Sequence, residues 1–132
     1  MTQSLSETFT RVDDALSDLE ARVAQLELEP TLEQCIALVS DLLRAYIAAL
    51  GDRPVPPPET DILDLFKVLV KGDPSWNTIR DNCRELVYYR NCIAMDRRDA
   101  LPNVPEKMAV RTARHIFLFM KTRATREGRL ES

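Results

Sequence analysis

The sequence has few of the residues that build reaction centres and metal sites. It contains one histidine and three cysteines among 132 residues. Cys35, Cys83 and Cys92 form no C-x-x-C pair, and one histidine cannot complete a common zinc site. We therefore expect neither a bound metal nor a disulfide framework, and no motif indicates a cofactor.

Long apolar runs are also absent. The first residues, MTQSLSETF, lack the basic start and the continuous apolar core of a secretory signal, and no apolar stretch reaches the length of a membrane span. No segment alternates apolar and polar residues as a half-buried strand does. These absences favour a cytoplasmic, all-α protein that does not enter a membrane.

Charge is divided unevenly along the chain. The formal net charge is -3, but residues 1–66 contain 4 basic and 13 acidic side chains, whereas residues 67–132 contain 14 basic and 8 acidic ones. The last predicted helix supplies a candidate basic face, which consists of Lys107, Arg111, Arg114 and Lys121. Acidic and basic helices could lie side by side, within one subunit or across a dimer. Alternatively, the basic face binds an acidic partner such as RNA.

The apolar pattern predicts a first helix with well-marked ends. Apolar residues recur every three or four positions from Leu5 to Leu26, which is the spacing of one helix face. Ser4 and Glu7 match a capping box at its start, and Pro30 follows its end. Such a narrow stripe is typical of packing against a neighbouring helix, and a contact between subunits is the alternative.

A second, central helix is predicted after a sharp turn. Thr31 and Gln34 repeat the capping-box pattern, and Gly51 ends the apolar face that follows. The short join at residues 29–31 implies an antiparallel hairpin. Consecutive prolines in residues 52–58 then predict an extended connection. This connection is either a stiff crossover between helices or a ligand for a proline-binding adaptor domain.

Two further helices follow the proline-rich connection. The shorter one runs from a cap at or near Thr60 to Gly72. Asp73 and Pro74 open the longer one, because aspartate suits the N-cap and proline suits the first helical position. The apolar pattern extends this helix to about Asp96.

The last helix completes the expected bundle. Pro105 is placed to open it, and its apolar residues end at Met120. The polar, basic segment 121–132 predicts a frayed tail. Residues 1–132 are therefore expected to form a single domain, an antiparallel all-α bundle of four to five helices that dimerises.

The fourth helix has one unusual feature, an arginine within its apolar stripe. The stripe consists of Trp76, Ile79, Cys83, Leu86, Val87, Ile93 and Ala94. Helical spacing places Arg90 on the same face, where its charge requires carboxylate or carbonyl partners. The partner is an acidic residue of the first two helices, or the side chain reaches out at the bundle edge. Alternatively, Arg90 binds a phosphate or carboxylate ligand together with Asn91 and Tyr89.

The segment Tyr89-Arg90-Asn91-Cys92-Ile93-Ala94-Met95 resembles the HEPN domains. Their motif is an arginine, usually followed by asparagine, with four to six residues before a histidine. The resemblance covers about residues 30–125 in helix order and length. It implies a dimeric helical fold of toxin, antitoxin-associated or nucleotidyltransferase-partner type, with ribonuclease activity where the motif is intact. Here the three histidine positions are Met95, Asp96 and Arg97, and only Arg90 and Asn91 match.

The sequence favours an interaction protein over an enzyme. No nucleophile with a neighbouring base is evident, and His115 lies at the edge of the last helix without a recognisable catalytic partner. We expect a non-enzymatic helical module that dimerises and binds a protein or RNA partner. The alternative is a HEPN-like ribonuclease or a small-molecule enzyme that uses Arg90 in a groove between helices or subunits.

Overall fold

A computed structural model describes residues 4–130, and they confirm the predicted all-α fold. No strand occurs in this part of the chain. The five α-helices are α1 (Leu5–Ala21), α2 (Leu28–Leu50), α3 (Ile62–Val70), α4 (Arg80–Ala94) and α5 (Pro105–Arg126). Three short 3₁₀ helices lie between them, at Val23–Gln25, Pro74–Ile79 and Arg98–Ala100.

Helix α2 is the centre of the bundle. It packs against each of the other four helices, and α5 also contacts α1 and α4. The largest fully buried side chains include Tyr46 of α2, Trp76 of the 3₁₀ helix Pro74–Ile79 and Phe117 of α5. The core thus forms where the apolar stripes of all five helices meet around α2.

The start of α1 is as predicted. Ser4 Oγ accepts a hydrogen bond of 3.1 Å from the Glu7 amide, and the Ser4 amide donates to Glu7 Oε1 at 3.4 Å. This capping box satisfies amides that have no partner within the helix. Arg11 of α1 lies 3.0 Å from Asp41 of α2, as expected when the two helices run antiparallel.

The predicted boundary between the first two helices is wrong. Helix α2 begins at Leu28, so Pro30 lies inside its first turn, and the Thr31 amide donates to the Glu27 carbonyl as a helical residue. Proline is tolerated in the first turn because amides there have no helical acceptor. The chain therefore reverses at residues 22–27, and Leu26 lies beyond the end of α1.

The proline-rich connection is fastened at both ends by arginines. Gly51 ends α2 in the left-handed region, with φ of 70°. Arg44 donates to the carbonyls of Pro57 and Pro58 at 3.1 and 3.0 Å. Arg53 donates to carbonyls near the end of α3, at 2.8 Å in the shortest contact. These bonds agree with a crossover that is held against the bundle.

The start at Asp73 and Pro74 is confirmed, but the helix begins in the 3₁₀ form. The Asp73 carboxylate accepts from the Ser75 amide at 3.2 Å, and residues 74–79 form a 3₁₀ helix before α4 begins at Arg80. Helix α4 ends at Ala94, two residues before the predicted end at Asp96, which has φ of 57°. Asp96 therefore lies in the left-handed region, where a right-handed helix does not continue.

The frayed tail predicted for residues 121–132 is also wrong for the part that the structure describes. Helix α5 continues to Arg126, Ala124 is fully buried, and Leu130 packs against the core. The Arg123 guanidinium lies 3.9 Å from the centre of the Trp76 ring, so a basic residue extends the packing. Residues 131 and 132 lie outside the described range.

Candidate functional site

Arg90 lies at the edge of the bundle and not within its core. Its Nη1 and Nη2 atoms donate to the two carboxylate oxygens of Asp61, at 2.7 and 3.1 Å. The Arg90 side chain is 41% exposed and that of Asp61 42% exposed. The expected ion pair exists, but its acidic partner is Asp61, at the N-cap position of α3, and does not come from the first two helices. Hydrogen bonding from Arg90 holds the pKa of Asp61 below its ordinary value.

Arg90 lines a groove between α2 and α4, which we call the α2–α4 groove. It has a volume of about 410 Å³. Its apolar surface comes from Leu32, Ile36, Ile93 and Ala94, and Glu29 and Glu33 stand at its α2 side. Both glutamates are exposed. A groove of this kind accepts an apolar side chain and has carboxylates along one lip.

The three predicted ligand-binding residues are not brought together. Asn91 is exposed and does not line the groove, whereas Tyr89 is buried and donates a hydrogen bond to Glu85. Desolvation and the hydrogen bond to Glu85 both raise the pKa of Tyr89. Consecutive residues of a helix point in directions about 100° apart, so residues 89–91 face different surroundings. Only Arg90 of the three lies in the groove.

The candidate basic face is partly neutralised. Arg114 donates to Asp13 at 2.7 Å and to Glu20 at 2.8 Å, both in α1, and its side chain is only 17% exposed. Within residues 4–130, the exposed side chains of Lys107 and Arg111 form no ion pair. Acidic and basic helices therefore do lie side by side within one subunit, and a reduced set of cations remains available.

Lys121, the fourth member of the candidate basic face, is exposed. Its Nζ atom lies 5.8 Å from the centre of the Phe117 ring. Such a contact holds the aliphatic stem against the bundle while the ammonium group stays in water. Lys121 therefore keeps its charge available at the surface.

Two of the thiols are poorly suited to nucleophilic chemistry. Cys35 and Cys83 are fully buried, and desolvation raises the pKa of each thiol to about 12. A thiol reacts as the thiolate, which is scarce at neutral pH when the pKa is so high. Cys92 is also buried. The cysteines therefore act as small apolar side chains, as their positions on the packed faces indicate.

A second cavity, not anticipated from the sequence, lies between the 3₁₀ helix Pro74–Ile79 and α5. This outer cavity has a volume of about 630 Å³. From α5 it is lined by His115, Leu118, Thr122 and Arg126 among others. Their spacing of three and four positions was the available signal, because it places them along one face of a helix. Because these four residues mix basic, polar and apolar types, the sequence pattern did not identify them as a site.

One polar cluster borders the outer cavity, which Arg123 and Glu127 help to line. The Arg123 guanidinium donates to Asp73, to Ser75 Oγ at 2.7 Å and to Glu127 at 3.1 Å. Glu127 also accepts a hydrogen bond of 2.5 Å from the hydroxyl group of the buried Tyr46. Desolvation alone would raise the pKa of Glu127, but hydrogen bonds from Tyr46, Arg129 and Arg123 lower it below its ordinary value. We call Tyr46, Asp73, Trp76, Arg123, Glu127 and Arg129 the C-terminal cluster.

Neither metal ligation nor a membrane span is evident in the part of the chain that the structure describes. Residues 4–130 contain no group of three or more potential metal ligands, and none of their helices is both long and apolar enough to cross a bilayer. Comparison of the chain with protein-family models, with curated proteins and with solved structures finds no match. The site's own geometry is therefore the basis for a functional proposal.

Proposed function

We propose that the chain is a non-enzymatic helical interaction module that forms a homodimer and presents charged helix surfaces to a protein or RNA partner. The observation that carries this proposal is the α2–α4 groove beside an exposed apolar side chain. Met95 follows Ala94 of the groove wall and is 72% exposed. Contiguous exposed apolar patches mark contact surfaces, and Met95 together with the apolar wall of the groove is proposed as such a patch.

A twofold dimer requires a surface that complements itself. In the proposed dimer, Met95 of each copy enters the α2–α4 groove of the other and packs against Leu32 and Ile36. Full burial of a methionine side chain contributes about 1.5–3 kcal/mol, and the symmetry supplies that contribution twice. The HEPN resemblance supports the same proposal, because it implies a dimeric helical fold.

The partner is proposed to bind the outer face of α5. Lys107, Arg111 and Lys121 are exposed there, and none of them has a carboxylate partner within residues 4–130. An acidic partner would neutralise this charge, and the flexible stems of lysine and arginine suit contacts with phosphates. RNA is the partner that we test first, since its phosphates present negative charge at regular intervals.

The enzyme alternative uses Arg90 for an anionic substrate, as a HEPN-like ribonuclease or a small-molecule enzyme. Both terminal nitrogens of Arg90 already donate to Asp61, so a substrate anion must displace this carboxylate. Neither the pair nor the α2–α4 groove includes a histidine that could transfer a proton, because the single histidine, His115, lines the outer cavity. These features favour the interaction module.

The test is the molar mass of the protein in solution, measured by light scattering across a dilution series. We expect a dimer for the wild type and a monomer for Met95→Asp, because a carboxylate cannot enter an apolar groove without large desolvation cost. Leu118→Asp is the matched control, since Leu118 is also exposed but lies on α5 outside the groove. A monomeric wild type, or equal dissociation of both variants, would contradict the proposed dimer.

A further inference from the structure

The outer cavity has the dimensions of a small-molecule site. Its volume of about 630 Å³ lies within the range of about 300–1,000 Å³ that is usual for ligand pockets. Its walls belong to α5 and to a 3₁₀ helix whose start is fixed by the Asp73 cap. The walls are therefore held in place before any ligand binds.

One wall of the outer cavity is apolar although it faces solvent. Leu118 is 52% exposed, and Phe119 is half-buried with its ring 6.0 Å from the centre of Trp76. Water at such a surface is displaced favourably by an apolar or aromatic group. This wall therefore selects a ligand with an apolar body.

Two of the charged residues that line the outer cavity, Arg123 and Glu127, are paired with each other and with neighbouring side chains. The donors of Arg123 go to Asp73, Ser75 and Glu127. The carboxylate of Glu127 accepts from Tyr46, Arg123 and Arg129, so two guanidinium groups offset its charge. Glu127 consequently repels an anion far less than an unpaired carboxylate would.

Arg126 is the cation that remains available at this cavity. It is exposed at the end of α5, and within residues 4–130 it forms no ion pair. Thr122, one turn earlier on the same face, adds a hydroxyl group. The last carbonyls of α5 accept from the amides of Glu127, Gly128 and Arg129, which limits the negative end of the helix dipole.

We propose that the outer cavity binds a small amphipathic anion, with one carboxylate, sulfonate or phosphate group on an apolar or aromatic body. The anionic group lies against Arg126 and Thr122, and the body covers Leu118 and Phe119. Arg126 holds the anion through charge-assisted hydrogen bonds, which are stronger than neutral ones. The site is separate from the α2–α4 groove and does not depend on the proposed dimer.

The probe is anilinonaphthalene sulfonate, an aromatic anion whose fluorescence rises when it leaves water. We expect saturable binding of one molecule per chain, competed by octanoate below its micelle-forming concentration. Arg126→Gln should weaken binding about tenfold, and Leu118→Asp should weaken it further because the carboxylate repels the anion and replaces the apolar wall.

Two matched variants show whether the binding belongs to the outer cavity. Arg111→Gln makes the same change of charge at an exposed position of α5 that does not line the cavity, and Met95→Asp alters the edge of the α2–α4 groove. Each should change the affinity by less than about twofold. Absence of saturable binding, or an equal loss in Arg111→Gln and Arg126→Gln, would overturn the proposal. So would loss of binding in Met95→Asp.

A lipid headgroup is the other source of the same anionic chemistry. Vesicles of phosphatidylcholine with phosphatidylglycerol, compared with vesicles of phosphatidylcholine alone, distinguish it from a free anion. A free-anion site predicts no sedimentation of the protein with either vesicle while the soluble probe binds. Sedimentation with the anionic vesicles that Arg126→Gln abolishes would overturn the assignment to a free anion and indicate a membrane surface instead.

Discussion

Two arginines of this protein illustrate how differently one side chain is used at the two ends of the bundle. Arg123, in the C-terminal cluster, lies over the Trp76 ring and donates to two carboxylates and a hydroxyl group, with 15% of its side chain exposed. Arg90, at the α2–α4 groove, has Asp61 as its ion-pair partner and is 41% exposed. Both have carboxylate partners, but only Arg123 is held by contacts to several elements at once.

This difference separates an arginine that holds several elements together from one that lies at the bundle edge. The contacts of Arg123 join α5 to the start of the 3₁₀ helix and, through Glu127, to Tyr46 of α2. Removing it leaves the Asp73 carboxylate without its cation, takes one of two cations from Glu127 and uncovers the Trp76 ring. The pair of Arg90 and Asp61 joins α4 to α3 in high dielectric surroundings, where ion pairs contribute little. Stability should therefore respond to the two positions very differently.

The largest expected effect is that of Arg123→Ala. We expect it to lower the free energy of unfolding by about 2–3 kcal/mol, because hydrogen bonds to charged groups and the contact with Trp76 are lost together. Urea unfolding followed by circular dichroism measures this change. Arg126→Ala is the control, since this exposed arginine three positions later should change stability by less than about 0.5 kcal/mol. Equal losses in both variants would show that the C-terminal cluster does not secure α5.

The C-terminal cluster also shows where sequence patterns stop being informative. Local chemistry predicted the capping box of Ser4 and Glu7, the end of α2 at Gly51 and the start at Asp73, because each depends on residues close in the chain. Arg123 and Asp73 are 50 positions apart. No periodic pattern links them, and the largely polar, basic segment 121–132 was therefore interpreted as a frayed end although it contains Ala124 and Leu130.

The α2–α4 groove was only partly predicted, again because its residues are far apart in the sequence. The helical period correctly placed Arg90 on the side of α4 that faces the other helices, because this depends on spacing alone. Its partner Asp61 is 29 positions away in the sequence, and the α2 residues that line the groove are even more distant from Arg90. The pattern also could not show that the bundle opens near the end of α4, which leaves Arg90 at an edge. The misplaced start of α2 came from reading Pro30 as a helix breaker.

A smaller effect is expected at the pair of Arg90 and Asp61. Arg90→Ala and Asp61→Asn should each lower the free energy of unfolding by at most about 1 kcal/mol, and the double variant should show a coupling of about 0.5 kcal/mol.

The same proteins, incubated with RNA, test the enzyme alternative. We expect no cleavage by the wild type. Cleavage that Arg90→Ala abolishes, with stability and dimer unchanged, would establish Arg90 as a functional group and displace the interaction module.

The smallest effect on stability is expected where exposed cations have no ion-pair partner among residues 4–130. The double variant Lys107→Gln with Arg111→Gln should unfold within about 0.5 kcal/mol of the wild type, because these exposed side chains form no ion pair within residues 4–130. Its RNA affinity, measured by fluorescence anisotropy at several salt concentrations, should nevertheless fall. For single-stranded RNA, each lost phosphate contact should reduce the slope of log affinity against log salt by about 0.7.

This last measurement decides between the two kinds of acidic partner. If RNA does not bind even at low salt, the cations of α5 face an acidic protein or serve only solubility, and RNA is removed from the proposal. If RNA binds but the slope does not change, its phosphates contact another surface. Arg114→Gln is an informative comparison, since this arginine is already paired with Asp13 and Glu20. It should lower stability while leaving the salt dependence nearly unchanged, which is the reverse of the double variant.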